Sequence, residues 1–296
     1  MVDAEGQVFA FGKNDSGQLG DGTTGDRAIA RRVEGVGDVV QVAAGARHSL
    51  ALDRSGRIWA WGDNEHGQLG DGSRRTRRGP VRVAGLRHVT AIAAGARHSL
   101  ALLESGDVCA WGDNAEGQRG DAASRLRPGR VRGLPKVAAV SAGGAQTLVL
   151  SESGQVWAFG DNTRGQLGLP TSGLVRQPVR VPGLEGIREL AVGAEHVLAL
   201  AAAGQVWSFG DNTLGQLCRE RLGASLPQPV VADSEHLGST PVIAVAAGFY
   251  HSLLLTADHR IWACGFNYSG QLGDWTYTNQ QRPLPLWRQC CSAERR

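Results

Sequence analysis

Apolar positions along this chain fall into short runs broken by glycine, too short for helices. VVQVAA (39–44) is continuous enough to be buried on both faces of a sheet. HSLALD (48–53) alternates, and RIWAWG (57–62) places Trp59 and Trp61 on one face of a strand. The pair Ser55–Gly56 makes a tight turn between these two runs. A long polar loop, DNEHGQLGDGSRRTRRG, then precedes PVRVAG (80–85). Pro80 is tolerable at the start of an edge strand and not in a central one, so this run is outermost. The pattern predicts four antiparallel strands, inner to outer, and almost no helix.

The pattern recurs. AAGARHSLAL occupies residues 43–52 and returns unchanged at 93–102. FGKNDSGQLG starts at Phe11, WGDNEHGQLG at Trp61, WGDNAEGQRG at Trp111, FGDNTRGQLG at Phe159, FGDNTLGQLC at Phe209 and CGFNYSGQLG at Cys264. The steps are 50, 50, 48, 50 and 55 residues. One four-stranded sheet cannot bury both of its faces, so the units require each other, and radial repetition of such sheets is a β-propeller. The predicted fold is all-β: five complete blades at 36–85, 86–133, 134–183, 184–232 and 240–287, a half blade at 1–35 and a tail at 288–296. First and second strands are found five times but third and fourth strands six times. That count points to part of a six- or seven-bladed ring; a missing upstream half blade is the first expectation, with a fragment, an open ring or a ring completed by another chain as the alternatives.

Composition sharpens this picture. The 42 glycines oppose helix, each costing about 1 kcal/mol in a helix interior. The net charge of +3 is too small to imply nucleic-acid binding by itself. Five cysteines include no CxxC pair; Cys109 and Cys264 stand where other copies carry aromatic residues and read as small buried hydrophobes, and Cys290–Cys291 fall in the tail. Nothing resembles a disulfide framework or a zinc site. No secretory signal is visible and no apolar run approaches the roughly 18 residues of a membrane span, so the expectation is a cytoplasmic protein.

With AAGxxHSLAL, GxVWxWG and NxxGQLG at a period of about 50 residues, the chain resembles the regulator of chromosome condensation repeat family. The resemblance covers essentially the whole chain. It implies a propeller, commonly seven-bladed, and functions that range from guanine-nucleotide exchange on the small GTPase Ran to plant UV-B photoreception and protein binding. In the photoreceptor, Trp residues that follow the inner-turn Gly form the chromophore. The matching positions here are Ala46, Ala96, Gly144, Ala194 and Phe249, so that function is set aside. The exchange factor's β-wedge has no counterpart either, because the excess length between Val231 and Val242 is about five residues.

Motifs shared by every copy read as architecture. The histidines His48, His98, His196 and His251 share one repeat position, filled in the third complete copy by Gln146; the expectation is a bond to neighbouring backbone. The Asn at 14, 64, 114, 162, 212 and 267 starts the long loop, and the Gln of each GQ pair is expected to bond main chain between blades. No nucleophile elbow, HExxH or P-loop occurs, and the carboxylates are scattered, so no catalytic residue, metal or cofactor is assigned and the chain is not expected to be an enzyme.

Strand direction alternates within a blade, which puts the turn after strand one and the loop after strand three on the same face. The turns carry Arg47, Arg97, Glu195, Phe249 and Tyr250. The loops carry Arg27, Arg31 and Arg32, then Arg74, Arg75, Arg77 and Arg78, then Arg125, Arg127 and Arg130, predicting a basic sector on three successive blades. Arginine there suits carboxylate or phosphate. The expected function is a non-enzymatic scaffold that binds a protein or other macromolecular partner, an acidic one included, through this Arg-rich face. The alternatives are a guanine-nucleotide exchange factor for a small GTPase and a chromatin or nucleic-acid binder.

Overall fold

The structure, a computed structural model, describes residues 1–120, 125–219, 224–229 and 240–286; for Arg125, Ala224, Ser225, Pro227, Gln228 and Pro229 it describes the backbone alone. The predicted tail at 288–296, with Cys290 and Cys291, lies outside the described residues. Among the described residues every named element is a strand. β1 (Phe9–Gly12) and β2 (Arg27–Arg32) form a two-stranded sheet. Five four-stranded sheets follow. They are β3 (Val39–Ala44), β4 (His48–Asp53), β5 (Ile58–Gly62) and β6 (Arg77–Arg82); β7 (Val89–Ala94), β8 (His98–Leu103), β9 (Val108–Gly112) and β10 (Arg125–Arg130); and β11 (Val137–Ala142), β12 (Gln146–Ser151), β13 (Val156–Asp161) and β14 (Leu174–Arg180). The last two are β15 (Ile187–Val192), β16 (His196–Ala201), β17 (Val206–Gly210) and β18 (Ala224–Pro229), then β19 (Val242–Ala247), β20 (His251–Thr256), β21 (Ile261–Gly265) and β22 (Gln280–Pro285). These are antiparallel propeller blades in sequence order, as the repeat pattern predicts.

The outer strands start earlier than the apolar pattern suggests. β6 begins at Arg77, not Pro80, because Arg77 pairs with Gly62 while Val81 and Arg82 pair with Ala60 and Trp59. Pro80 falls in the irregular stretch between, where an edge strand has no ladder bond to lose. Arg77 and Arg78 are therefore strand residues, as are Arg27, Arg31 and Arg32 in β2.

The chain divides into two compact units, Met1–Glu152 with Trp157–Asp161 and Leu174–Val179, and Ser153–Val156 with Asn162–Gly173 and Arg180–Arg296. Within each, the core lies between neighbouring sheets. In the first unit Trp61 is buried among Val8, Val33 and Val39, and Trp111 among Leu50, Ile58, Leu69 and Ile92. In the second, Leu198, Val206, Leu254 and Trp262 form the equivalent layer.

The phrase GQLG is the socket for the next blade's aromatic residue. A Cβ on Gly70 would sit 2.7 Å from Trp111 Nε1, and its φ of +66° also favours glycine. Trp111 Nε1 and Ser99 Oγ both donate to the Gln68 carbonyl at 2.8 Å. Trp61 and Ser49 treat the Gln18 carbonyl in the same way. The Gln side chain does not cross between blades as expected: Gln68 Oε1 accepts from His66 N and Nε2 donates to Asp63 within its own loop. Only the backbone carbonyl crosses, because the side chain is needed to close the turn.

In the second unit both halves of this socket change together. Cys218, at φ 56°, replaces the glycine, Cys264 replaces the aromatic residue, and the two form a disulfide. The reading of Cys264 as a plain buried hydrophobe, and of the chain as free of disulfides, is thus corrected. The partners are 46 residues apart in different repeats, and only the junction brings them together. Cys109 is buried, as expected.

The histidines correct a second expectation. His48 Nε2 lies 3.0 Å from Ser99 Oγ of the next blade, and His98 and His196 meet Thr147 and Ser252 at 2.9 Å. Each hydroxyl already gives its proton to a Gln carbonyl, so the imidazole Nε2–H must be the donor. The partner is therefore a side chain across the junction, not neighbouring backbone. The ring also explains the glycine three residues earlier, since a Cβ on Gly95 would lie 2.1 Å from His98 Cε1. Burial pushes His48 and His196 down to about 4; burial, the like charge of His48 and nearby Arg119 push His98 to about 3, against the pull of Asp113.

Candidate binding face

The loop after strand three is held by its asparagine. Asn64 Oδ1 accepts from Leu69 N, five residues on, while Nδ2 donates to Asp71 Oδ1 and the Ser73 carbonyl. Asn14 and Asn267 make the equivalent set. All three side chains are buried, so the loop folds around the amide. A second brace closes its far end: Arg77 Nε and Nη2 both reach Asp71 Oδ2, at 3.0 and 2.8 Å. Arg27 Nε reaches Asp21 Oδ2 at 2.8 Å while its Nη2 donates to Thr23 Oγ1, and burial of that carboxylate is outweighed by Thr23, Arg27 and Asn14, which hold it at about 2.

Turn and loop share one end of each blade, as strand alternation requires. Asp63 N donates to the Arg47 carbonyl, Asp113 N to Arg97, Asp211 N to Glu195 and Phe266 N to Tyr250. In the first unit Arg47 lies 3.5 Å from Asp15. The Gln18 amide and Lys13 lower the Asp15 carboxyl below its ordinary range. Arg47 is thus set beside an acidic loop residue of the preceding copy, which tempers its charge.

Arg74 and Arg75 are exposed at the loop tip, and Arg74 Nη1 donates to the Glu65 carbonyl. Arg78 covers Gly17 and the Arg127 guanidinium covers Gly72, each reaching back over the preceding blade's loop. Arg77 is neutralised by Asp71, so it leaves the sector. Arg130 pairs with Asp107 in the turn after strand two, at the opposite end, and Arg32 pairs with Glu34. The Arg125 side chain lies outside the described residues. Sequence reasoning missed Arg176, which covers Gly117 as Arg78 covers Gly17; the signal was its place in the outer strand, which a loop-centred reading passed over.

In the second unit the described residues at the same end include an ion-paired arginine and a row of aromatic rings. Arg164 bridges Glu195 and Asp211 at 3.1 and 3.4 Å. Phe249 and Tyr250 continue into a row of edge-to-face rings with Phe266 and Tyr268, at centroid distances of 4.9, 6.5 and 5.3 Å. Phe249 and Tyr268 remain 56% and 67% exposed. Phe266 and Tyr268 were legible only as departures of the sixth copy, CGFNYSGQLG, from the GDN pattern.

Residues 1–293 match the RCC1-like domain family. The chain belongs to that family. Among solved structures, this RCC1-like chain is similar to human WBSCR16, at 25% identity and a TM-score of 0.84, over 95% of this chain and 77% of that one. It is also similar to Prp20p of Saccharomyces cerevisiae, whose structure was described with its binding to Gsp1p and histones, at 19% identity and a TM-score of 0.71 over 98% and 88%. The same yeast protein bound to Kap60 gives 19% identity and 0.70 over 98% and 86%. At that identity the yeast protein informs the fold alone. Among the described residues no helix is long and apolar enough to cross a membrane.

Proposed function

We propose that this RCC1-like chain is a non-enzymatic module that binds an acidic protein partner through the loop end of its first unit. The supporting observation is the row of exposed arginines, Arg74, Arg75, Arg78, Arg127 and Arg176, borne by three successive outer strands and their loops. Guanidinium groups held at neighbouring backbone by packing lose less freedom on pairing with carboxylates than free side chains would. Charge on such a surface acts chiefly on association rate and salt dependence.

The test is affinity capture with the intact chain and with Arg74→Ser/Arg75→Ser, the capture repeated across salt concentrations. The double variant keeps the Arg77–Asp71 brace, so its stability should stay within about 0.5 kcal/mol. Retention of the captured partner should fall and depend less on salt. Arg54→Ser/Arg57→Ser, at the opposite end, should leave retention intact. Equal loss in both variants would overturn the assignment. Accelerated nucleotide release from a small GTPase by the purified chain would replace it with exchange activity.

A further inference from the structure

In the sixth copy, aromatic rings fill loop-end positions that other copies give mostly to charged or small residues. Tyr250 stands where complete blades carry Arg47, Arg97, Ala145 and Glu195. Phe266 takes the place of Lys13, Asp63, Asp113, Asp161 and Asp211. Tyr268 takes that of Asp15, Glu65, Ala115, Thr163 and Thr213, all of which are exposed. Its own exposure therefore belongs to the repeat position and not to the place of its blade in the chain. The loop does not need these rings. Asp63 and Asp211 close their turns by accepting from the Gln68 and Gln216 amides, and Phe266 offers the Gln271 amide no acceptor. Edge-to-face packing along the row leaves ring faces of negative potential open to solvent.

The formal charge beside the row is also negative. Asn267, between Phe266 and Tyr268, donates to Asp274 Oδ1 at 2.8 Å. The matching carboxylates Asp21 and Asp71 are each paired with an arginine, Arg27 and Arg77. Here Gln280 takes the place of that arginine and reaches Asp274 Oδ2 at 3.3 Å. Thr276 supplies the remaining bonds, so among the described residues no cation pairs with Asp274. At the other end of the row Ala194 N donates to the Phe249 carbonyl. Beside that turn one guanidinium, Arg164, is shared by two carboxylates, Glu195 and Asp211.

We propose that this row is a docking site for an arginine-bearing basic segment of a partner protein. A guanidinium plane stacks on the open face of Tyr250, Phe266 or Tyr268, where the ring quadrupole attracts the cation. The unpaired charge of Asp274 and the excess carboxylate beside Arg164 draw in the segment's remaining cations. Complementary charge thus selects the partner, and the rings hold it. The site is chemically the reverse of the arginine row in the first unit, and neither depends on the other.

The test uses the full chain and a fluorescein-labelled peptide, GRGRGRGRG, beside a version with citrulline, the neutral isostere of arginine. Fluorescence anisotropy should show saturable binding of the arginine peptide, with the citrulline peptide about tenfold weaker or more. Tyr268→Thr installs the residue found at Thr163 and Thr213, so the fold tolerates it. It should weaken binding about fivefold through the lost ring face. Tyr250→Arg installs the residue found at Arg47 and Arg97 and puts a cation where a ring stood. It should weaken binding about tenfold or more. Arg74→Ser/Arg75→Ser should leave the affinity unchanged. Absence of saturable binding, equal binding of the citrulline peptide, or unchanged affinity in both tyrosine variants would overturn the proposal. So would tighter binding of an uncharged peptide, PPLPPLPP, lost in the same two variants, which would give the row to a polyproline partner.

Discussion

At the scale of single residues, the junctions read as pairs that change together. Gly70 faces Trp111 and Gly168 faces Phe209, while Cys218 faces Cys264. A cysteine fits the socket because the ring has gone and its sulfur bonds the residue that replaced it. Cys264→Trp alone should clash with the Cys218 side chain, and Cys218→Gly alone should leave a cavity and an unbridged sulfur. Each single change should cost about 2–4 kcal/mol. The double variant Cys218→Gly/Cys264→Trp rebuilds the socket used at Gly70 and should recover at least half of that loss. Urea unfolding of the four proteins under non-reducing conditions closes the cycle, and purely additive losses would refute the pairing.

At the scale of the element, the loop after strand three is a folded unit and not a slack connection. Asn64 contributes three of its internal bonds from a buried position. Asn64→Ala leaves the Leu69 amide and the Ser73 carbonyl without their partner, at about 1–3 kcal/mol. The tip carries Arg74 and Arg75, so the loosened loop becomes a trypsin substrate. Native-state trypsin digestion should cut after these residues at least tenfold faster in Asn64→Ala than in the wild type, with the strands still intact by circular dichroism. An unchanged rate would show that the Arg77–Asp71 brace alone holds the loop.

At the scale of the whole molecule, the buried imidazoles set the response to acid. An unfolded chain titrates its histidines near 6.5, whereas His48 and His196 stay neutral to about 4 and His98 to about 3. The folded values are lowered, so the unfolded state takes up protons first as pH falls. Stability is therefore undiminished above about pH 6.5 and drains away between there and about pH 4, by up to roughly 1.4 kcal/mol per pH unit for each imidazole. Over two units this rivals the roughly 5–15 kcal/mol that holds a domain together. Carboxylates held low, such as Asp21 and Asp71, add to the loss only at lower pH. The thermal midpoint should be flat above pH 7 and fall steeply below 6.5. His98→Gln, using the residue found at Gln146, should make that fall shallower; an identical profile would exclude His98 as a source.

Strand positions, the blade period and the shared loop end were all legible in the sequence. They follow from alternation and glycine punctuation, which act over a few residues. The outer strands were misplaced by three residues because Arg77 pairs as backbone, which its charge conceals. What only the tertiary structure decided was which residue of one copy meets which of the next. His48 with Ser99, Trp111 with the Gln68 carbonyl, Cys218 with Cys264 and Arg127 over Gly72 are contacts between copies 43 to 55 residues apart. A repeat shows each partner once per period and never shows the pair. Packing of one sheet on the next fixes the pairs, and with them the charge left over at the loop end.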